Sequence, residues 1–397
     1  MNSGKNISFL FLLVLLLLFN GCKSKTTTPQ ENIKIYKKAL KNDPENAEAY
    51  FHLGTAYLEL KRYRKATDSL RDAVRLNQEY SEAHRNLGVA LYHQKHYSEA
   101  LELLKKAFAL DPSDTDALIS IGGVYIAMGK PKTAIRHLEP AMKRKISLAR
   151  THNLMGVAYE KLGQNKKAIR HWREAIKQYP RFVEAHNNLG VVYEKLGRRD
   201  RAVHQYEEAL KVKPDDPVAQ YNLGVVFAKE KKYSKALEHW LKSKNVEPRD
   251  PLLLANLGWV YEKLKRRDKA IEEYKQSIKA DPFDPHIHFI LGGLVALEGN
   301  HTEAIESYRK TINLDQGYTE AYYRAGMLYD NIQDGRSAIT NAIIAEALYK
   351  NQNNTKMTSK ANQNLELFLR KYQLQREDFA DITIPVPPTE NTEEKKS

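Results

Sequence analysis

The chain has 397 residues, 63 Lys+Arg against 49 Asp+Glu, a formal net charge of +14 and 42% hydrophobic residues. That composition is ordinary for a folded body, and its charge points to anionic surroundings such as a membrane surface, a glycan, a nucleic acid or an acidic protein. The single cysteine excludes any intramolecular disulfide and any zinc site built on cysteines.

The N-terminus reads MNSGKNISFLFLLVLLLLFNGCKSK, with Lys5 ahead of an apolar core from Ile7 to Phe19 and small Gly21 directly before Cys22. The apolar run falls short of the about 20 residues a membrane span needs and has the layout of a secretory signal. The junction Leu18-Phe19-Asn20-Gly21-Cys22 resembles a bacterial lipoprotein lipobox, from whose usual residues Phe19 and Asn20 depart. The resemblance implies a signal peptide over 1–21, cleavage before Cys22, lipidation of its thiol and acylation of the new amino group. Such chains hold a protein to a bilayer at ~0.8 kcal/mol per buried CH₂. An uncleaved signal anchor, or a buried cysteine that falls there by chance, is the alternative. Residues 22–30 (from Cys22, then KSKTTTPQ) read as a lipidated tether.

From there one phrase recurs. Glycine stands at 54, 88, 122, 156, 190, 224, 258, 292 and 326, always 34 residues apart, and alanine follows each, from Ala66 to Ala338. A large ring sits three residues after most of these glycines (Tyr57, Tyr125, Tyr159, Tyr193), and proline closes many units (Pro112, Pro180, Pro214, Pro248, Pro282). In a frame starting at Ala47, the fourth, seventh, eighth and eleventh places share one helix face. Glycine there admits a second helix closely, and the alanine on that helix receives it. Leu104, Trp172, Tyr206, Trp240 and Tyr274 are expected to fill the remaining space. Gly129, Gly163, Gly197 and Gly299 stand where the first helix must stop, as left-handed caps. Proline after aspartate, as in Asp111-Pro112 and Asp281-Pro282, ends the second helix. Each unit is predicted to be a helix-turn-helix hairpin that buries its apolar face only by stacking on neighbours.

This pattern resembles the tetratricopeptide repeat (TPR) family over about residues 47–352. The resemblance implies an all-α fold, a right-handed superhelical solenoid of helix-turn-helix units, whose usual business is binding other proteins. The solenoid is assigned to 31–352, with an unpaired second helix carrying Tyr36, Ala39 and Pro44 before nine full units. The frame weakens where Ile146 replaces a proline and where Ala342 replaces a bulky residue. Residues 353–380 read as a cap whose helix runs from Lys360 to Tyr372, and 381–397, with Pro385-Val386-Pro387-Pro388, as a disordered tail.

Along each first helix the second, sixth, ninth and thirteenth places form another stripe, which the family resemblance places on a concave groove. There the sequence writes Asn188, Asn222 and Asn256, joined at a distance by Asn86, and then Lys195, Lys229 and Lys263, with Lys161 preceding them. An asparagine amide serves both an N–H and a C=O of an extended peptide, and a lysine row adds preference for acidic or carboxylate groups. Similar asparagine ladders hold peptides in some members of the family. Tyr221, Trp259, Phe289 and Tyr323 are candidate walls of apolar pockets between rungs. The plainer alternative is that these are solvated consensus residues.

The excess positive charge sits in the inter-helix turns, KRYRK from Lys61, GRRDR from Gly197, KKYSK from Lys231 and KRRDK from Lys265. Aligned by the repeat, they make a basic edge, an alternative surface for an anionic polymer or membrane. Nucleic acid is not expected, because an export signal precedes the repeats and stacking aromatics do not alternate with these turns. Of the 13 histidines most fall into repeat columns, His84, His152, His186 and His288 in one and His137, His171 and His239 in another. Neighbours in a column are a repeat apart, too far to share an ion at ~2.1 Å, so neither metal nor cofactor is expected. No glycine-rich phosphate loop, nucleophile elbow or HExxH motif appears. The sequence therefore reads as a non-enzymatic, lipid-anchored scaffold in a bacterial envelope. Lys23 and Ser24 place it at the outer membrane, facing the periplasm, with a protein or peptide ligand in its groove.

Overall fold

Wherever the sequence spaces its small and large apolar residues by the repeat, the chain forms a pair of helices. The structure, a computed structural model, describes residues 27–385, so the signal segment, Cys22 and the last residues of the tail lie outside it. The described residues form two compact units, divided after Asn222.

The first unit opens with α1 (Pro29–Asn42) and continues through the hairpins α2/α3 (Ala47–Glu59, Tyr63–Leu76), α4/α5 (Ser81–His93, Tyr97–Leu110) and α6/α7 (Thr115–Ala127, Pro131–Lys143). Hairpins α8/α9 (Leu148–Lys161, Asn165–Gln178) and α10/α11 (Val183–Lys195, Arg199–Val212) follow, and the unit ends inside α12 (Pro217–Lys229). Helix α1 starts within the stretch read as tether. Thr28 caps it by accepting from the Glu31 N–H while the Glu31 carboxylate returns to the Thr28 N–H, a reciprocal capping box that fixes the start.

The second unit takes up the rest of α12, then α13 (Tyr233–Val246), α14/α15 (Pro251–Lys263, Arg267–Ala280), α16/α17 (Pro285–Ala296, His301–Leu314), α18/α19 (Thr319–Asn331, Gly335–Asn351) and α20 (Thr355–Tyr372). A 3₁₀ turn, Arg376–Phe379, closes it. Among the described residues there is no strand, and the all-α, serial-hairpin solenoid architecture holds in each unit.

The glycine column sets the helix spacing. A Cβ built on Gly156 would lie 2.5 Å from Trp172 Nε1, and one on Gly258 2.8 Å from Tyr274 Cε1. At Gly190 and Gly224 it would strike Tyr206 and Trp240. Leu104 stands in the same relation to Gly88, 2.8 Å from the Cβ position. At Gly326 the nearest atom is the Ala338 carbonyl oxygen at 3.3 Å, because Ala342 offers no ring there.

Every first helix ends in a left-handed residue at the fifteenth place. Four are the expected glycines, Gly129, Gly163, Gly197 and Gly299, but Lys61, Lys95, Lys231, Lys265 and Gln333 adopt φ between 56° and 65° at the equivalent position. The join after α7 is irregular. Pro140 sits inside that helix, and Lys145 (φ 57°) and Ser147 (φ 49°) turn left-handed around exposed Ile146. This is the place where the repeat's proline is missing.

The C-terminal end differs from the sequence expectation in two ways. Helix α20 begins at Thr355 rather than Lys360, with Asn354 capping it through the Met357 N–H. The tail is not free from residue 381, because Ile382 and Ile384 pack on the cluster of Ala338, Ile339, Leu365, Phe368 and Phe379. Tyr372 seats against Gly335 and donates to Asp330 Oδ1 at 2.8 Å. Together α20 and the following turn cover the face that α19 would otherwise leave open.

Candidate functional site

In the first unit, first helices of successive repeats touch, α2 with α4, α4 with α6, α6 with α8 and α8 with α10. Their stripes of second, sixth, ninth and thirteenth places therefore adjoin. Asn86 and Asn188 occupy sixth places on α4 and α10 and are half-buried, as are Tyr221 and Asn222 on α12. Two of these amides reach back one repeat. Asn86 Nδ2 donates to Thr55 Oγ1 at 3.0 Å, and Asn188 Nδ2 donates to Asn153 Oδ1, also at 3.0 Å. Asn153 is 1% exposed, so Asn188 is held on a buried anchor. Between these two rungs the sixth places are Ser120 and Leu154, both buried. Two intervening repeats thus separate Asn86 from the consecutive sixth places of Asn188 and Asn222, and part of the donor capacity of Asn86 and Asn188 serves the fold.

The lysines at thirteenth places are exposed at Lys161 and Lys195. Lys195 Nζ meets Glu160 Oε1 of the preceding first helix at 2.9 Å, with the lysine side chain 47% exposed. At a second place of the same stripe, burial raises the Glu184 carboxyl above the usual carboxylate range, with Asp216 adding to it. Between α4, α6 and α8 the stripe dips into a small, partly open hollow.

In the second unit Asn256 and Trp259 are half-buried and Lys229 and Lys263 exposed. Lys263 Nζ lies 5.5 Å from the Trp259 ring centre, and Tyr233 meets the same indole edge-on at 5.6 Å. Phe289 packs on Tyr318 at 4.9 Å and Tyr308 at 5.5 Å, beneath the Arg324 guanidinium. Tyr323 Oη accepts from Asn364 Nδ2 of α20 at 3.1 Å. These last two rings belong to the packing of their own unit.

The basic turns have an internal role that the sequence did not disclose. The nineteenth-place cation of five repeats stands over the eleventh-place ring of its own hairpin. Lys65 lies over Tyr57 at 5.9 Å, Lys167 over Tyr159 at 5.1 Å, Arg201 over Tyr193 at 5.9 Å, Lys235 over Phe227 at 5.4 Å and Lys269 over Tyr261 at 5.8 Å. Such contacts are worth ~0.5–1 kcal/mol at exposed sites, so part of the edge's charge stabilises the hairpins.

The histidine columns are structural too. Fourth-place rings clip the preceding turn, His84 Nε2 to the Gln78 carbonyl at 2.9 Å, His186 to Pro180 at 3.0 Å and His288 to Pro282 at 3.1 Å. Gln220 makes the same contact with Pro214. The other column stacks on the eleventh-place ring, as His137 does on Tyr125 and His171 on Tyr159. Column spacing hid one close pair. His152 Nδ1 and His171 Nδ1 are 2.9 Å apart across the α8/α9 hairpin, and burial, with His152 and Arg170 beside it, pushes His171 down to about 4. No cluster of three metal-ligating side chains occurs among the described residues. Nor is any described helix long and apolar enough to cross a membrane.

Models of the tetratricopeptide repeat match residues 35–68, 54–115, 91–145, 183–216 and 255–318, and a further TPR repeat model matches 156–197. No curated protein matches. Among solved structures, Pseudomonas aeruginosa pilF is 18% identical, with 54% of this chain and 97% of that one covered at a TM-score of 0.46. A crystal structure of the MamA protein is 31% identical over 38% of this chain and 84% of that one, at 0.34. The human IFIT1 dimer is 21% identical over 72% of this chain and 67% of that one, at 0.51. Glycine-admitted hairpins in a fixed register and repeat models matching most of that stretch lead to one conclusion: the chain belongs to the tetratricopeptide repeat family.

Proposed function

We propose that the chain is a lipid-anchored scaffold that holds extended segments of partner proteins along the stripe of its first helices, in the assembly of a bacterial envelope complex. The family's fold is typically a non-catalytic platform for protein–protein interaction, and the finer reading rests on the stripe. The observation that supports it most is Asn188. Its Nδ2 is fixed by buried Asn153, which leaves its Oδ1 as an oriented acceptor for a peptide N–H. Half-buried Val191 and exposed Lys195 follow it along the helix, offering an apolar contact and a cation to the same segment.

The triple variant Asn188→Ala, Asn222→Ala, Asn256→Ala is expected to weaken a partner captured from native membranes by about 0.5–1.5 kcal/mol for each lost hydrogen bond. Calorimetry at two salt concentrations checks this, with circular dichroism confirming retained helicity. Affinity unchanged in the triple variant sinks the groove assignment. A binding constant that collapses with salt points instead to an anionic polymer on the basic edge. Anchoring rests on the sequence around Cys22, with Lys23 and Ser24 favouring the outer membrane. Metabolic palmitate labelling should mark the wild-type chain and be lost in Cys22→Ser; an unlabelled wild type removes the anchor from the proposal.

A further inference from the structure

The third repeat breaks the stripe with two small residues. Its sixth and ninth places are Ser120 and Gly123, where the fifth repeat has Asn188 and Val191. We infer that this break is a pocket for one uncharged aliphatic side chain of the bound segment, with Ser120 Oγ bonding to the adjacent backbone of that segment. The inference rests on the peptide-binding reading above and adds which side chain is selected.

Gly123 carries the first part of the argument. Its neighbour Gly122 is required by packing, since a Cβ there would lie 2.5 Å from Leu138 Cδ2. A Cβ on Gly123 meets nothing within 4 Å, and its φ is not positive. Neither packing nor backbone conformation demands glycine, and glycine inside a helix is unfavourable. The space it leaves joins the hollow walled by Val89, Ile119, Val124 and Leu154.

Ser120 carries the second part. It lines the same hollow, is 6% exposed, and its buried Oγ has no hydrogen-bond partner among the described residues. A buried hydroxyl without a partner is costly to the fold, and the N–H or C=O of a seated peptide relieves it. Charge decides the class of side chain. The nearby guanidiniums are paired, Arg85 with Asp114 at 2.8 Å and Arg150 with Asp116 at 2.8 Å, all four side chains being 16% exposed or less. Arg150 itself lines the hollow, but each pair neutralises itself, so the pocket offers apolar wall, one hydroxyl and a paired guanidinium rather than net charge. A small aliphatic group fits that chemistry.

The test selects displayed random heptapeptides on the full chain and measures the winners by fluorescence anisotropy. A single Val, Ile or Leu position is expected, whose change to alanine weakens binding about 10-fold, the scale of burying a branched side chain. Gly123→Leu, which fills the hollow, should weaken the same peptides by about 10-fold or more with the melting temperature kept. Gly123→Ala, which the open space admits, keeps the test valid should leucine disturb the fold, and it should shift preference toward smaller side chains. Peptides that bind wild type, Gly123→Leu and Gly123→Ala alike, or a consensus that is charged, overturn the pocket and leave the groove reading standing. Failure to select any peptide on the wild type overturns both.

Discussion

At residue scale the left-handed fifteenth place shows how a repeat tolerates poor local choices. Lys231 holds φ 59° where Gly163 holds φ 72°, and a side chain there costs about 1–2 kcal/mol of local strain. Lys231→Gly removes that strain but loosens the unfolded chain, so a net gain of about 0.5–1 kcal/mol is expected, read as a higher denaturation midpoint. Gly163→Ala should lose about 1 kcal/mol. The packing glycines are stricter. Gly258→Ala would push a methyl into Tyr274 at 2.8 Å, and an overpacking loss of about 1–3 kcal/mol is expected. The glycine column and its opposing rings were legible because a strict period exposes them. The lysines in left-handed turns were not, since nothing in a lysine announces positive φ. The His152–His171 pair was missed for a related reason: spacing along the columns says nothing about what faces across a hairpin.

That pair gives the fold a dependence on pH. His171 sits at about 4 because burial disfavours its charged form, and His93, stacked on Tyr63, is pushed down to about 4 by burial and Lys61. Between an unfolded value near 6.5 and these folded values the unfolded chain binds more protons, so stability falls as pH drops through that window. Half-buried Glu59 and Glu184, whose carboxyls are raised by desolvation, work in the opposite sense as they protonate in the fold. Comparing His171→Gln with wild type isolates the histidine. The variant should lose less stability between pH 7 and 4.5, by on the order of 1 kcal/mol after allowance for solvent screening. Equal losses in the two proteins contradict the assignment.

At the scale of the element, each hairpin is a paired helix whose exposed face waits for the next. The last one has no successor, and α20 with the 3₁₀ turn takes that place. Phe368 is 1% exposed and Leu365 wholly buried, so Phe368→Ala is expected to cost about 3–5 kcal/mol and to lower the melting of the second unit. The apolar residues of this cap were readable from their helical spacing. Its start at Thr355 and the docking of Ile382 and Ile384 were not, because the Asn354 cap and two isolated isoleucines beside prolines carry no periodic signal. The irregular join at Lys145–Ser147 was legible only as a departure, the missing proline at Ile146.

For the whole molecule, family membership follows from the repeat, whereas function depends on which surface meets a partner. The sequence marked the stripe and the basic edge as candidates but could not weigh them. Cation–ring contacts show part of the edge at work inside its own hairpins. On the stripe, Asn188 is braced from below and the third repeat opens a hollow. Neither was legible, since both depend on which side chains adjoin across repeats. The most direct measurement places a photo-reactive benzoylphenylalanine at Val191, on the stripe, or at Arg199, on the basic edge, in the full chain in its native membranes. The account predicts protein adducts from Val191 that persist in high salt, and few from Arg199. Adducts from Arg199 alone, abolished by salt, would contradict it.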